Sequence, residues 1–174
     1  MSLKSNLTRA LGLAPRAPQP AAAIYARALA EARATEWYAA CGVPDTLDGR
    51  FDALALVLAL LLLRLQALGA HQTEADVTDR FAEDMDASLR EIGVSDLAIS
   101  KQVGNTVGAL GGRLTAYRAA LDTDGATLAD ALIRNLYRGQ APDPAMLAAA
   151  ALRSRALQAR LARHSADDLA SGYW

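Results

Sequence analysis

Aromatic side chains make up only 5% of this 174-residue sequence, which has a single cysteine, Cys41, and two histidines, His71 and His164. Each scarcity excludes something. A lone cysteine cannot close an internal disulfide, and Cys41, following a helical stretch, reads as a small buried apolar residue suited to a reducing compartment. Two histidines, neither in a Glu-x-x-His pattern, do not supply a carboxylate-bridged metal site in a helical bundle. Charge of one sign is also missing. Eighteen basic and 19 acidic side chains leave a formal net charge of -1, so no overall field would hold a polyanion and nucleic acid is a poor reading. The longest strongly apolar run, Ala53 to Leu63, is closed by Asp52 and Arg64 and falls short of the ~20 residues that span a bilayer. Near the amino terminus Lys4 and Arg9 surround Leu3, Leu7 and Leu11 without the apolar core and cleavage site of a secretory signal. The expected location is cytoplasmic, peripheral at the inner membrane if that leucine-bearing segment lies on lipid.

What the chain does have is Ala and Leu, which supply most of its 52% hydrophobic content and lose least on entering a helix. No stretch alternates with period two, so no strand is expected. The pattern predicts an all-α fold, a compact single-domain bundle of about six or seven helices. Residues 1–20 read as a short helix and a Pro-rich linker (Pro15, Pro18, Pro20), 21–164 as the helical domain, and 165–174 as a loosely ordered C-terminal tail. Within the domain a helix is expected from Ala21 to Cys41, stopped by Gly42 and Pro44, then a loop from Asp45 to Gly49. Phe51 to Leu68 is apolar all round its circumference, which requires cover on every side and makes it the central helix. Thr73 with Asp76 resembles a capping box opening the helix of Val77, Phe81, Met85, Leu89 and Ile92, which Gly93 ends. Ser95 is the expected N-cap of a helix carrying Gly104, Gly108, Gly111 and Gly112, where either close helix packing or a break near Gly111 is expected. Thr127 to Leu136, ended by Gly139, and a last helix opened by Asp143 and Pro144 and running to about His164 complete the set.

Reactive groups are not arranged for turnover. No phosphate loop follows a strand and no nucleophile sits in a known elbow, so no catalytic residue, metal or cofactor is assigned. Asp79, Glu83 and Asp86 share a helix face but read as a solvated acidic surface, with Arg80–Asp84 and Asp86–Arg90 available as pairs one turn apart. Asp45, Asp48, Arg50 and Asp52 crowd the entry to the central helix, where capping and the helix dipole account for most of them and Arg50 could hold the loop from within. Arg113, Tyr117 and Arg118 form one Tyr/Arg set, and Arg134, Asn135, Tyr137 and Arg138 another; both are residue types enriched at binding hot spots, and equally types that half-bury themselves on any helix.

Two stretches are more specific. Val43-Pro44-Asp45-Thr46-Leu47-Asp48-Gly49-Arg50-Phe51-Asp52 and Asp84-Met85-Asp86-Ala87-Ser88-Leu89-Arg90-Glu91-Ile92-Gly93-Val94-Ser95-Asp96-Leu97 resemble the two signature segments of the ubiquinol-cytochrome c chaperone family. Trp37-Tyr38, Arg64-Leu65, Lys101, Gly112-Arg113 with Tyr117, and Asn135-Leu136-Tyr137 extend the resemblance in the same order. It departs at Val57, where the family commonly carries His, and at Leu110-Gly111, where it tends to carry aromatics.

The resemblance implies a non-enzymatic assembly factor that binds newly made cytochrome b, or other bc1 complex precursors. Mitochondrial relatives work with a small partner protein near the ribosome, and this chain resembles a bacterial member. On it Asp45, Asp48, Arg50, Asp52, Asp84, Asp86, Arg90, Glu91, Arg113, Tyr117, Asn135 and Tyr137 are the expected partner-binding residues. A holding protein needs an exposed apolar groove with a polar rim; the glycine-bearing helix beside the central one is the expected groove and Asp84 to Arg90 its rim. Two other readings compete. One is a small enzyme or ligand carrier with a polar pocket around Arg50, Asp84, Asp86, Arg90 and Arg113. The other is a peripheral membrane adaptor held by the Leu3 to Leu13 segment.

Overall fold

A computed structural model describes residues 20–123 and 125–174, and all of their regular structure is helical. The expected helix before Pro20 lies outside the described residues. Eight helices follow: α1 (Pro20–Ala32), α2 (Thr35–Ala39), α3 (Leu47–Ala67), α4 (His71–Glu91), α5 (Asp96–Leu121), α6 (Gly125–Asn135), α7 (Pro144–Ala162) and α8 (Ala166–Ala170).

The central helix is where the apolar pattern puts it. Every residue of α3 from Ala53 to Leu62 is buried, and α1, α4, α5 and α7 pack around it. It begins at Leu47, earlier than expected, because Thr46 is extended and its hydroxyl accepts from the Gly49 N–H at 3.1 Å. One core runs from Ala21 to Trp174 through all eight helices.

The expected helix from Ala21 to Cys41 breaks in two. The Trp37 indole donates to the Glu31 carbonyl at 3.1 Å and the Tyr38 hydroxyl to the Ala32 carbonyl at 2.9 Å. These side chains take acceptors at the end of α1 that the next turn would otherwise use. Gly42 then reverses the chain at φ +68°, a conformation that costs a side chain but not glycine.

The expected box of Thr73 and Asp76 does not form. α4 starts two residues earlier, at His71 with no side-chain cap, and Asp76 accepts from Gln72 instead. Ser95 stands at the N-cap of α5 but makes no capping bond. Neither alternative for the glycines holds: α5 is unbroken from Asp96 to Leu121, and a Cβ at Gly104, Gly108, Gly111 or Gly112 would meet no atom within 4 Å. Each still gives up as much as ~1 kcal/mol of helix stability relative to Ala.

The C-terminal residues are not loose. Ser165 and Asp168 form a capping box that opens α8, Leu169 is fully buried, and Trp174 lies under Arg27 with the guanidinium 4.8 Å from its ring. Sequence periodicity has little purchase on a five-residue helix whose anchors are on α1 and α7.

A groove between the two signature segments

The first signature segment enters α3 and the second closes α4, and the fold sets them face to face. Between them lies an open groove of about 480 Å³, walled by Leu29 and Ala32 of α1, Leu47, Phe51 and Leu54 of α3, Met85 and Leu89 of α4, and Ile92, which caps α4. Its lips are apolar and wet: Leu47 is 78% and Ile92 67% exposed, with Leu97 exposed just beyond. Exposed apolar residues scattered singly are ordinary, but Leu47 and Ile92 border the same apolar-walled groove. At one end Arg33 and Arg50 also wall a second, polar pocket with Thr35, Tyr38 and Asp45.

The expected groove along α5 is therefore corrected. That helix gives the groove only Thr106, and its glycines face open space. The segment expected as rim is itself a wall, because beyond Phe81 the apolar stripe of α4 runs past the core: Val77 and Phe81 are its only fully buried members.

The charged candidates divide into three sets. At the entry to α3, Arg50 is exposed rather than buried and pairs with Asp45 at 2.6 Å; that bond lowers the Asp45 carboxyl below its ordinary value. Asp52 is the buried member. It takes Arg113 of α5 at 2.6 Å on one oxygen and Arg138 at 2.5 Å on the other, while Arg138 also reaches Asp48 at 2.6 Å. The hydrogen bond to Asp52 raises the Arg138 guanidinium above its ordinary value despite partial burial. At the end of α4, Arg90 bridges Asp86 at 2.6 Å and Asp96 at 2.5 Å across the α4–α5 turn, and Glu91 is exposed beside it. Arg80 pairs with Glu83, not Asp84; Asp84 instead accepts from the buried Tyr25 hydroxyl at 2.7 Å, and burial, then that bond, push the Tyr25 phenol up.

Of the expected partner-binding side chains, two point into the core and a third turns back on its own helix. Tyr117 is fully buried, Tyr137 is buried and donates to the Cys41 carbonyl at 2.5 Å, and Asn135 is half-buried and donates to Ala131 at 3.0 Å. None of the three lines the groove. The polar pocket of the enzyme reading is not assembled either: Arg50 and Asp84 line the groove, Asp86 and Arg90 do not, and Arg113 is spent on Asp52.

Arg138 stands beside Tyr137 in the second Tyr/Arg set but is not among the expected partner-binding residues. Its mark is structural, a non-glycine at φ +53° followed by Gly139 at φ +83°, a conformation that something must hold in place. Gly49 is fixed by space rather than by φ. A Cβ there would stand 1.9 Å from the Pro44 carbonyl oxygen, so Gly49→Ala should cost about 1–3 kcal/mol in urea denaturation by forcing that turn apart; an unchanged midpoint would show that the turn yields freely.

These observations define an all-α protein with an open, apolar-walled groove, beside which the buried Asp52 carboxylate pairs with two arginines. Residues 39–174 match the profile of the family described as Ubiquinol-cytochrome C chaperone. No curated protein matches the sequence. Among solved structures, the crystal structure of the Cbp3 homolog from Brucella abortus superposes with a TM-score of 0.75 at 32% identity, over 97% of this chain and 90% of that one. The chain belongs to the ubiquinol-cytochrome c chaperone family.

Proposed function

We propose that this protein is a non-enzymatic assembly factor of the ubiquinol-cytochrome c reductase complex, which holds newly made cytochrome b in the groove between α3 and α4 until it is assembled. The observation that carries the reading is that the family's two signature segments form opposite walls of one groove and leave Leu47 and Ile92 exposed across it. A client helix covering both would gain roughly 1.5–3 kcal/mol for each side chain buried. Association itself costs about 4–15 kcal/mol, so these two side chains alone do not hold a client; the rest of the apolar wall, Leu29, Phe51, Leu54, Met85 and Leu89, has to contribute, and the hold stays reversible. The Asp48–Arg138 and Asp45–Arg50 pairs provide the polar rim. Nothing in the act requires a reacting group.

No described helix is long and apolar enough to cross a membrane. The reading places the protein on the cytoplasmic side, against the inner membrane during hand-over, with a small helper protein or the ribosome as further partners of the kind mitochondrial relatives use. Deleting the gene should deplete spectroscopically detected cytochrome b and the assembled bc1 complex; unchanged levels would overturn the function. Restoring it as Leu47→Asp/Ile92→Asp should leave folding within about 0.5 kcal/mol of wild type, both sites being exposed, yet fail to restore the complex. Full rescue by that variant would remove the groove from the mechanism.

A further inference from the structure

The groove has one fixed side and one side that is scarcely tied down. On α4 the last polar link to the body is Tyr25 to Asp84 at 2.7 Å; on α5 the first is Arg113 to Asp52 at 2.6 Å. Among the described residues, the hydrogen bonds and ion pairs made between those two anchors stay within the α4–α5 pair: Arg90 with Asp86 and Asp96, Thr106 with the Gln102 carbonyl, and the backbone bonds of the connecting turn. Apolar anchorage is thin too. Met85 and Val107 touch the core from its edge, and Ile99 is buried but outside the contiguous core. Residues 88–104 thus form the tip of a helical arm overhanging Leu47 and Phe51.

Gly104, Gly108, Gly111 and Gly112 sit between that tip and the Arg113 anchor. No neighbour fills the space where their Cβ atoms would be, and none has a positive φ. Packing does not account for them and neither does a turn. The remaining physical effect of glycine inside a helix is a looser backbone, and sharp helix bends concentrate at such residues. α4 has only Val77 and Phe81 fully buried, whereas α5 is gripped by Leu110, Tyr117, Ala120 and Leu121. To follow α4 it has to bend where that grip begins: Gly104 and Gly108 precede Leu110, and Gly111 and Gly112 lie between it and the Arg113 anchor.

We propose that the α4–α5 arm is a hinged jaw: α5 bends at Gly104 to Gly112, and the tip carries Leu89 and Ile92 toward or away from Leu47 and Phe51 to admit and then clasp an apolar helix. This rests on the groove being the client site, but the motion belongs to the free protein and can be measured without a client. Nitroxide labels at Thr35→Cys on the body and Ser95→Cys on the tip, in the full chain with Cys41→Ala, report the distance across the groove by electron-electron double resonance. The wild-type glycines should give a wide or two-peaked distribution. Gly108→Ala/Gly111→Ala/Gly112→Ala, which has room for all three methyls, should shrink it to about half that width and slow amide exchange at 104–112 about tenfold, because Ala stiffens a helix where Gly loosens it. If the triple variant fails to fold, Gly108→Ala alone should narrow the distribution by a smaller amount. Superimposable distributions in the glycine and alanine proteins would overturn the hinge. That result together with a failed rescue by Leu47→Asp/Ile92→Asp would leave the groove standing as a rigid site; a narrowed distribution together with full rescue would keep the hinge and remove its client.

Discussion

Asp52→Ala is expected to destabilise the fold by about 3–5 kcal/mol, the range for removing one partner of a buried ion pair. Asp52 is 1% exposed, and each of its oxygens takes a guanidinium, Arg113 at 2.6 Å and Arg138 at 2.5 Å. The two arginines would respond differently. Arg138 is half exposed and keeps Asp48 as a partner, so it can turn to water. Arg113 cannot: its side chain is mostly buried, stacked 5.3 Å from the Phe51 ring centre, and its Nε is already without a partner. An uncompensated cation left there is the main cost. Arg113→Met on top of Asp52→Ala should therefore recover most of the loss, since replacing both members of a buried pair with apolar groups is often near neutral. Urea denaturation of the single and double variants decides the matter. A single-variant loss below about 1 kcal/mol, the range of surface pairs, would mean that water reaches Asp52 and the pairs are no keystone. Because Arg138 also positions Asp48 on the groove wall, the single variant should distort that wall as well.

Much of the fold is legible in the residues themselves. An unbroken apolar run forces α3 to the centre, Gly42, Gly93 and Gly139 stop helices at positive φ, and Asp143 with Pro144 opens α7. What is not legible depends on residues distant in the chain or on side chains competing with the backbone. The break after Ala32 comes from Trp37 and Tyr38 reaching back for carbonyls, and the C-terminal residues are ordered by Arg27, 147 residues away. For the site, the signature segments are visible as two stretches of sequence, but that they face each other is a property of helix packing. An all-round apolar helix says that it needs cover without saying which neighbour falls short of covering it. The overhang of α4 past Phe81 supplies that answer, and it moves the groove from α5 to the space between α3 and α4.

The second large effect concerns a residue that sequence did not single out. Glu31 of α1 is 6% exposed and meets Arg153 at 2.9 Å, Arg160 at 2.6 Å and Arg27 at 3.7 Å. The available signal was a lone acid on an Ala-rich helix and two arginines seven apart on α7, a spacing that puts both on one face. Three guanidiniums around one carboxylate repel one another. Stacking on aromatic rings offsets part of this, Arg153 over Trp37 and Arg27 and Arg160 over Trp174, at about 0.5–2 kcal/mol each. Glu31→Gln keeps the shape and removes the charge that balances them, with an expected loss of about 3–5 kcal/mol. Salt separates this account from a simple packing defect. In 1 M salt the repulsion among the three partly exposed guanidiniums is screened, though the buried contacts to Glu31 are screened much less, so the gap between Glu31→Gln and wild type should shrink in part, whereas a cavity or a lost hydrogen bond would leave it unchanged. Arg160→Gln in the same background should recover part of the stability by relieving the repulsion. Since this cluster is what ties α7 and Trp174 to α1, amide protection in α8 should fall in Glu31→Gln before that of α3. Simultaneous loss in both helices would show instead that the C-terminal residues and the core come apart as one unit.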